Sequence, residues 1–191
     1  MFRNDKLDFI CDTLLVFVKE VNEQAAAIRA YCNVFSDQEC NNVYINRAND
    51  AIWRELVSDL ARIFDNSRTL SDENCTLSRL KEVCLEAGDV FLDGNEDKLL
   101  LEIDRICDDY KNMPIKKARN KQLSHHDIKQ LSKPDGIEIS LDEVEKLISD
   151  TTSFFEKIYS RVNYGWIDLS FPDYATLVKS FENALHKVII S

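Results

Sequence analysis

Between Phe9 and Tyr31 the apolar residues keep to a period of three to four: Phe9, Ile10, Leu14, Phe17, Val21, Ile28 and Tyr31. That period places side chains on one face of a helix and is incompatible with the two-residue alternation of a half-buried strand. The same period returns in most later segments. Four Gly and three Pro in 191 residues leave few breakpoints between them. A sheet needs a turn every few residues, so scarce punctuation with sustained helical spacing predicts an all-α bundle of about six to seven helices.

The helices can be bounded from their caps. The first is expected over about residues 5–34. A second is predicted from Ser36, because Glu39 stands three residues on as in a capping box, and to run through Ile45, Ile52, Leu56, Leu60 and Ile63 to Phe64. Residues 65–74 are polar and read as a loop. Thr76 or Ser78 can cap a short helix through Leu80, Val83 and Leu85, with Gly88 after its end. A further helix is predicted over 96–111, with Leu99, Leu100, Ile103, Ile106 and Cys107 inward. Pro114 suits the first turn of the next, and residues 132–136 form a turn. Ser140 and Glu143 make another capping box before a helix that reaches about Val162. A last helix carries Leu177, Phe181, Leu185 and Val188. Length suits a single domain over residues 1–191, with 140–191 as a C-terminal helical pair.

No apolar run is long enough for a membrane span, and Asp5, Asp8 and Asp12 interrupt any signal-like start. A cytoplasmic protein without membrane partners is expected. The six cysteines, Cys11, Cys32, Cys40, Cys75, Cys84 and Cys107, lack the paired spacing of a zinc site and read as packed, reduced thiols. The acidic stretches 93–97 and 142–150 read as solvated helix starts, not as a compact ligand set. No metal and no cofactor are expected.

Charge is uneven. The chain carries −10, which argues against a general nucleic-acid coat protein. Yet Lys111, Lys116, Lys117, Arg119, Lys121, Lys129 and Lys133 face only Asp127 within residues 111–133, so that segment is +6 and the remainder −16. A basic segment on an acidic body suits a local polyanion site; a solvated charged face is the plain alternative. The helix expected here has few apolar residues (Ile115, Ala118, Leu123), so core building does not explain it.

Residues 116–127, KKARNKQLSHHD, combine the groups that RNA cleavage without metal requires. Imidazole moves protons near neutral pH, and guanidinium forks onto phosphate oxygens and stabilises the charge of a phosphorane. On a regular helix Arg119 and His125 stand about 120° apart around the axis and about 9 Å along it, whereas His126 is nearly in line with Arg119. Spacing leaves both histidines as candidates. A long arginine side chain, or a symmetric dimer, could close the angle. Capping or solvation is the plain account of two histidines near a helix end.

Arg119-Asn120-Lys121-Gln122-Leu123-Ser124-His125-His126-Asp127 resembles the HEPN motif, an Arg and a polar residue followed by a His, and most closely its abortive-infection U branch, with Ser124 in place of the usual Ala. Upstream, Trp53-Arg54-Glu55-Leu56, Leu60-Ala61-Arg62-Ile63-Phe64-Asp65 and Asn74-Cys75-Thr76-Leu77-Ser78-Arg79-Leu80 are similar to further blocks of that branch, with Cys75 and Thr76 departing from its usual order. The resemblance covers about residues 40–135. It implies a HEPN-like helical bundle dimerising along the motif helix, and a metal-independent endoribonuclease of prokaryotic phage defence or toxin–antitoxin type. It selects His125 over His126. Arg119 and His125 would be catalytic, Asn120, Lys121, Asp127 and His126 supporting, and Lys116 and Lys117 RNA-binding. Partners would be an RNA substrate, a second copy, and an antitoxin or regulatory protein. Two other readings compete: a non-catalytic HEPN module that binds RNA, nucleotide or protein, and a helical interaction protein whose motif is accidental.

Other features read as structural. Trp53, Leu56, Leu60 and Ile63 form a core stripe. Arg62 and Asp65 suit an i,i+3 ion pair. Tyr159, Tyr164 and Trp166 cluster near the last connector and suit burial better than base stacking. His186 is assigned no role.

Overall fold

A computed structural model of the chain describes residues 5–36, 39–66, 68–69, 72–87, 96–117, 139–162 and 173–190. Among these are six helices of at least eleven residues: α1 (Asp5–Val34), α2 (Val43–Phe64), α3 (Leu77–Ala87), α4 (Glu96–Asn112), α5 (Leu141–Val162) and α6 (Tyr174–Ile190). The architecture is an all-helical bundle, as the periodicity predicts. The one departure is a two-residue antiparallel ladder, Arg68–Thr69 against Asp72–Glu73, in the stretch read as loop. The amide of Asn74 donates to the carbonyl of Asn66 at 3.0 Å and ties the base of that hairpin.

Helix α1 is the central element and packs against α2, α3, α5 and α6. Its buried residues, among them Leu7, Cys11, Leu14, Leu15, Val18, Val21, Ala26, Ile28 and Ala30, therefore cover much more than one narrow stripe. The uncovered side corrects one expectation: Phe9 is 65% exposed and Val16 53%, two turns apart on the solvent face. The second helix also begins later than predicted. Ser36 lies in a bend after α1, and the helix opens at Val43, where the Asn42 side chain accepts from the N–H groups of Tyr44 and Ile45 at 3.0 and 3.2 Å. Asparagine is as good an N-cap as serine, and here the linker favours it, since Asn46 Nδ2 also holds the Cys40 carbonyl at 2.9 Å. Gln24 with Asp59, and Tyr31 with Asn46, show α1 and α2 running antiparallel.

The other caps fall close to prediction. Thr76 Oγ1 accepts from the Arg79 N–H at 3.2 Å to open α3. Ser140 Oγ accepts from the Glu143 N–H at 3.4 Å to open α5; this is the forward half of the expected capping box. Leu85, placed on the inner face of α3 by sequence, is exposed, as is Val188 on α6. Both occupy helix sides that no neighbouring helix covers among the described residues. The core is largely apolar and runs from Leu7 to Ile158, with Asp59, Thr76, Arg79 and Thr151 also buried and with Phe154 and Phe155 fully buried, edge-on to each other at 5.9 Å.

Candidate functional site

The last turns of α4 bring the chain to the segment in question. Tyr110 is buried and stacked on Phe64 of α2, with ring centroids 4.6 Å apart. The Met113 N–H donates to the Tyr110 carbonyl, Pro114 follows, and residues 115–117 are helical again. Ile115 is completely buried in the core, while Lys116 and Lys117 are exposed. Arg119, Asn120, Lys121, His125, His126 and Asp127 lie outside the described residues. The chain returns at Ile139, which packs against the core, and at Ser140, which caps α5. Two buried or half-buried isoleucines thus bracket residues 116–138.

The point of return is fixed by ion pairs. Arg105 on α4 bonds Asp150 on α5 at 2.9 Å, and Lys157 on α5 bonds Glu102 on α4 at 2.9 Å, so the two helices run antiparallel. The segment therefore leaves and returns at one end of this helix pair. There Arg29 of α1 reaches into the first turns of α5: its Nε donates to Glu145 Oε1 at 2.8 Å, and its Nη2 donates to Glu145 Oε2 and to Asp142. The hydroxyl of Tyr174, the first residue of α6, donates to the same Glu145 Oε1 at 2.6 Å. Burial first, and then the Glu145 bond, push the Tyr174 hydroxyl far above its ordinary range; the Glu145 bond likewise raises Arg29. The acids at 142–150 are thus partly structural, contrary to the reading of a solvated helix start. One signal was present in the sequence: Asp142 and Glu145, three apart, share a helix face, and Arg29 stands alone among apolar neighbours.

The upstream blocks that carry the resemblance build the α2–α3 part of the core. Leu56, Leu60, Ala61, Ile63, Phe64, Leu77 and Leu80 are buried, and Trp53 packs partly against them. Arg62 pairs with Asp59 at 2.8 Å, three residues before it; the pair expected with Asp65 is not among the described contacts. Asp59 is buried and also accepts from Gln24 Nε2 at 2.8 Å, and the Arg62 guanidinium lies 5.6 Å from the centre of the Phe17 ring. Arg79 is the largest fully buried side chain and bonds Glu82 at 2.7 Å, with Glu86 at 3.4 Å. The Gln24–Asp59 bond and the Arg62–Phe17 contact tie α2 to α1, whereas the Arg79 pairs lie within α3.

The remaining candidates are quickly placed. The six cysteines are free thiols, with Cys11, Cys84 and Cys107 buried. Burial drives the Cys11 thiol far up and raises Cys107 as well, so neither offers a thiolate for catalysis. Among the described residues no group of His, Cys, Asp and Glu is arranged to hold a metal ion, and no helix is long and apolar enough to cross a membrane. His186 is exposed on α6. Tyr159, Tyr164 and Trp166 lie outside the described side chains.

Comparison with curated proteins gives no match, and neither does comparison with solved structures. A family model does match: the HEPN family described as AbiU2, over residues 12–186. The match takes in most of α1, the three upstream blocks, the Arg119–Asp127 segment and most of α6, well beyond the stretch of about 40–135 that the motifs cover. The chain belongs to the AbiU2 family of HEPN proteins, an abortive-infection-related branch of helical modules.

Proposed function

We propose that this protein is a metal-independent endoribonuclease of phage-defence or toxin–antitoxin type, acting on RNA as a homodimer whose motif segments meet across a twofold axis. The observation that carries this reading is the Arg119-Asn120…His125 motif, set within a +6 segment of a chain that the HEPN family model matches over residues 12–186. Two exposed lysines, Lys116 and Lys117, lead into that segment, and among the described residues neither has an ion-pair partner, so both are available to phosphates.

The chemistry follows from the residue types. A ribose 2′-hydroxyl attacks the adjacent phosphorus, the P–O5′ bond breaks, and the products are a 2′,3′-cyclic phosphate and a 5′-hydroxyl. The 2′-proton must leave and the 5′-oxygen must gain one; His125 serves this transfer as acid or base. Arg119 forks onto the phosphate and stabilises the added charge of the transition state. Asn120 orients the phosphate or the motif, while Lys121, Asp127 and His126 support it. A twofold axis would supply a second copy of each group and remove the angular mismatch between Arg119 and His125 on one helix. An antitoxin or other regulator would restrain the activity in the cell.

The test is RNA incubation with purified protein in EDTA. Cleavage that survives chelation, yields 2′,3′-cyclic phosphate ends, and falls by two orders of magnitude or so in Arg119→Ala and His125→Ala is expected. RNA binding without cleavage would instead make the chain a non-catalytic HEPN module, and that result would overturn the enzymatic reading.

A further inference from the structure

We propose that the outer face of α2 is a self-association surface that seats the α2 of a second copy of this chain. The two helices run antiparallel about a twofold axis near Ala51, so that Arg47 meets Glu55 and Arg54 meets Asp50 of the second copy. The surface lies wholly within described residues and does not depend on the catalytic reading above.

Helix α2 buries the side that carries Leu56, Leu60 and Ile63. Successive positions turn by about 100°, so Tyr44, Arg47, Ala51, Arg54 and Ser58 fall within about 80° of one another on the opposite side, with Asp50 and Glu55 at its two edges. Tyr44 is 79% exposed, and both arginines, both carboxylates and Ala51 are exposed as well. Asp50 stands three residues from Arg47 and four from Arg54, spacings that suit ion pairs within one helix. Yet none of these four charged groups is paired among the described residues, whereas Arg29, Lys81, Arg105 and Lys157 all are. Exposed tyrosine and unengaged arginine are the residue types over-represented in binding faces.

The signs identify the occupant. Two cations alternate with two carboxylates, so a polyanion is repelled as well as attracted, and the order about Ala51 is self-complementary. In an antiparallel pair centred there, residues equidistant from the centre face each other, which sets Glu55 opposite Arg47 of the other copy. Arg54 then lies two residues, about 3 Å along the axis, from Asp50. Each contact occurs twice, as an isologous interface requires. Ala48 and Ala51, exposed and small, let the two backbones approach at the crossing, and Tyr44 lies against Ser58 and the exposed Arg62 stem of the second copy. The ion pairs set orientation and register, while burial of Tyr44 and the alanines supplies the attraction.

The test is the assembly state of the full chain by sedimentation equilibrium from about 1 to 100 μM, the range suited to a contact of one helix face per protomer. Arg47→Glu sets carboxylates against each other twice per interface, and Glu55→Arg does the same with cations. Each should weaken association at least about tenfold and halve the assembled mass. Arg47→Glu combined with Glu55→Arg exchanges the signs and should restore it. Both sites are exposed, so every variant should unfold in urea as the parent does. A second measurement treats Ala51→Cys with a short bismaleimide, in a background of Cys32→Ser, Cys40→Ser and Cys75→Ser. Residue 51, at the axis, should cross-link to its own copy, and Ala184→Cys, exposed on α6, should not. A chain that stays monomeric throughout, assembly that ignores Arg47→Glu, or a double variant that fails to reassociate overturns the proposal. So does a monomer that binds RNA or another protein through Arg47 and Arg54. A dimer joined only at the motif segments ignores these substitutions, so the ribonuclease reading stands or fails separately.

Discussion

Replacing Lys116 and Lys117 together by alanine should change how salt weakens RNA binding, by an amount that the structure bounds. Both side chains are exposed, both follow the buried Ile115 on a helical turn, and among the described residues neither meets a carboxylate. Consecutive helix positions point about 100° apart, so the two ammonium groups address different phosphates and their contributions should add. Each phosphate neutralised on a single strand contributes about 0.7 to the slope of log K against log salt, so the double variant should lose about 1.4. Between 50 and 200 mM salt that corresponds to about a sevenfold smaller loss of affinity than in the parent. Fluorescence anisotropy with a labelled single-stranded RNA measures it, in a His125→Ala background so that the probe stays intact. Lys111 is the internal control: its ammonium bonds Asp108 at 2.8 Å, a contact that raises its pKa, so Lys111→Ala should move the slope by much less. A double variant with the parental slope would refute the assignment of these lysines to the RNA-binding surface.

Two further predictions concern the body. Phe154→Ala removes a fully buried ring and its edge-on contact with Phe155, and should cost about 3–5 kcal/mol in urea unfolding, lowering Tm by about 10 °C; a loss below about 1 kcal/mol would mean that α5 is not seated in the core as described. Glu20 is exposed, but what burial it has, followed by the neighbouring carboxylate of Asp59, raises its carboxyl pKa against the opposing pull of Arg62. A raised folded value contributes stability at acid pH that is lost as pH rises through it, so Glu20→Gln should stabilise the protein at pH 7 by a few tenths of a kcal/mol, roughly, with the gain vanishing below about pH 4. A variant that gains stability only on acidification would have the sign wrong.

How much could be read from residues alone depended on whether the deciding partner was local. Thr76 and Ser140 cap helices that start beside them, and the side chain that accepts the bond lies within three residues of the donor, so composition is enough. Ser36 failed because Asn42, equally suited to capping, stood six residues on and the linker selected it. Phe9, Leu85 and Val188 have helical spacing, but whether a helix face is buried depends on which other helix lies over it. Arg29 and Glu145 are 116 residues apart in sequence; the face shared by Asp142 and Glu145 is a local signal, but it does not say which cation meets it. The site divides the same way. The Arg119–His125 spacing and the run of positive charge are local and visible, whereas whether the two groups converge is decided by tertiary contacts that spacing cannot supply.

If the chain acts on RNA as proposed, the placement of charge confines that contact to a short footprint. Within the body, several cations are already engaged by carboxylates: Arg29 by Asp142 and Glu145, Arg62 by Asp59, Lys81 by Asp104, Arg105 by Asp109 and Asp150, Lys157 by Glu102. A cation held this way contributes little net field at a phosphate several ångströms farther out, and the −16 remainder of the chain repels the backbone. Favourable electrostatics therefore reside in the +6 segment, and if every net charge there met a phosphate the total salt slope would be about 4. A steeper slope would require cations of the helical body to join the interface, either exposed ones such as Arg47, Arg54 and Lys146 or paired ones that first release their carboxylates, as Arg29 would have to release Glu145 and Asp142.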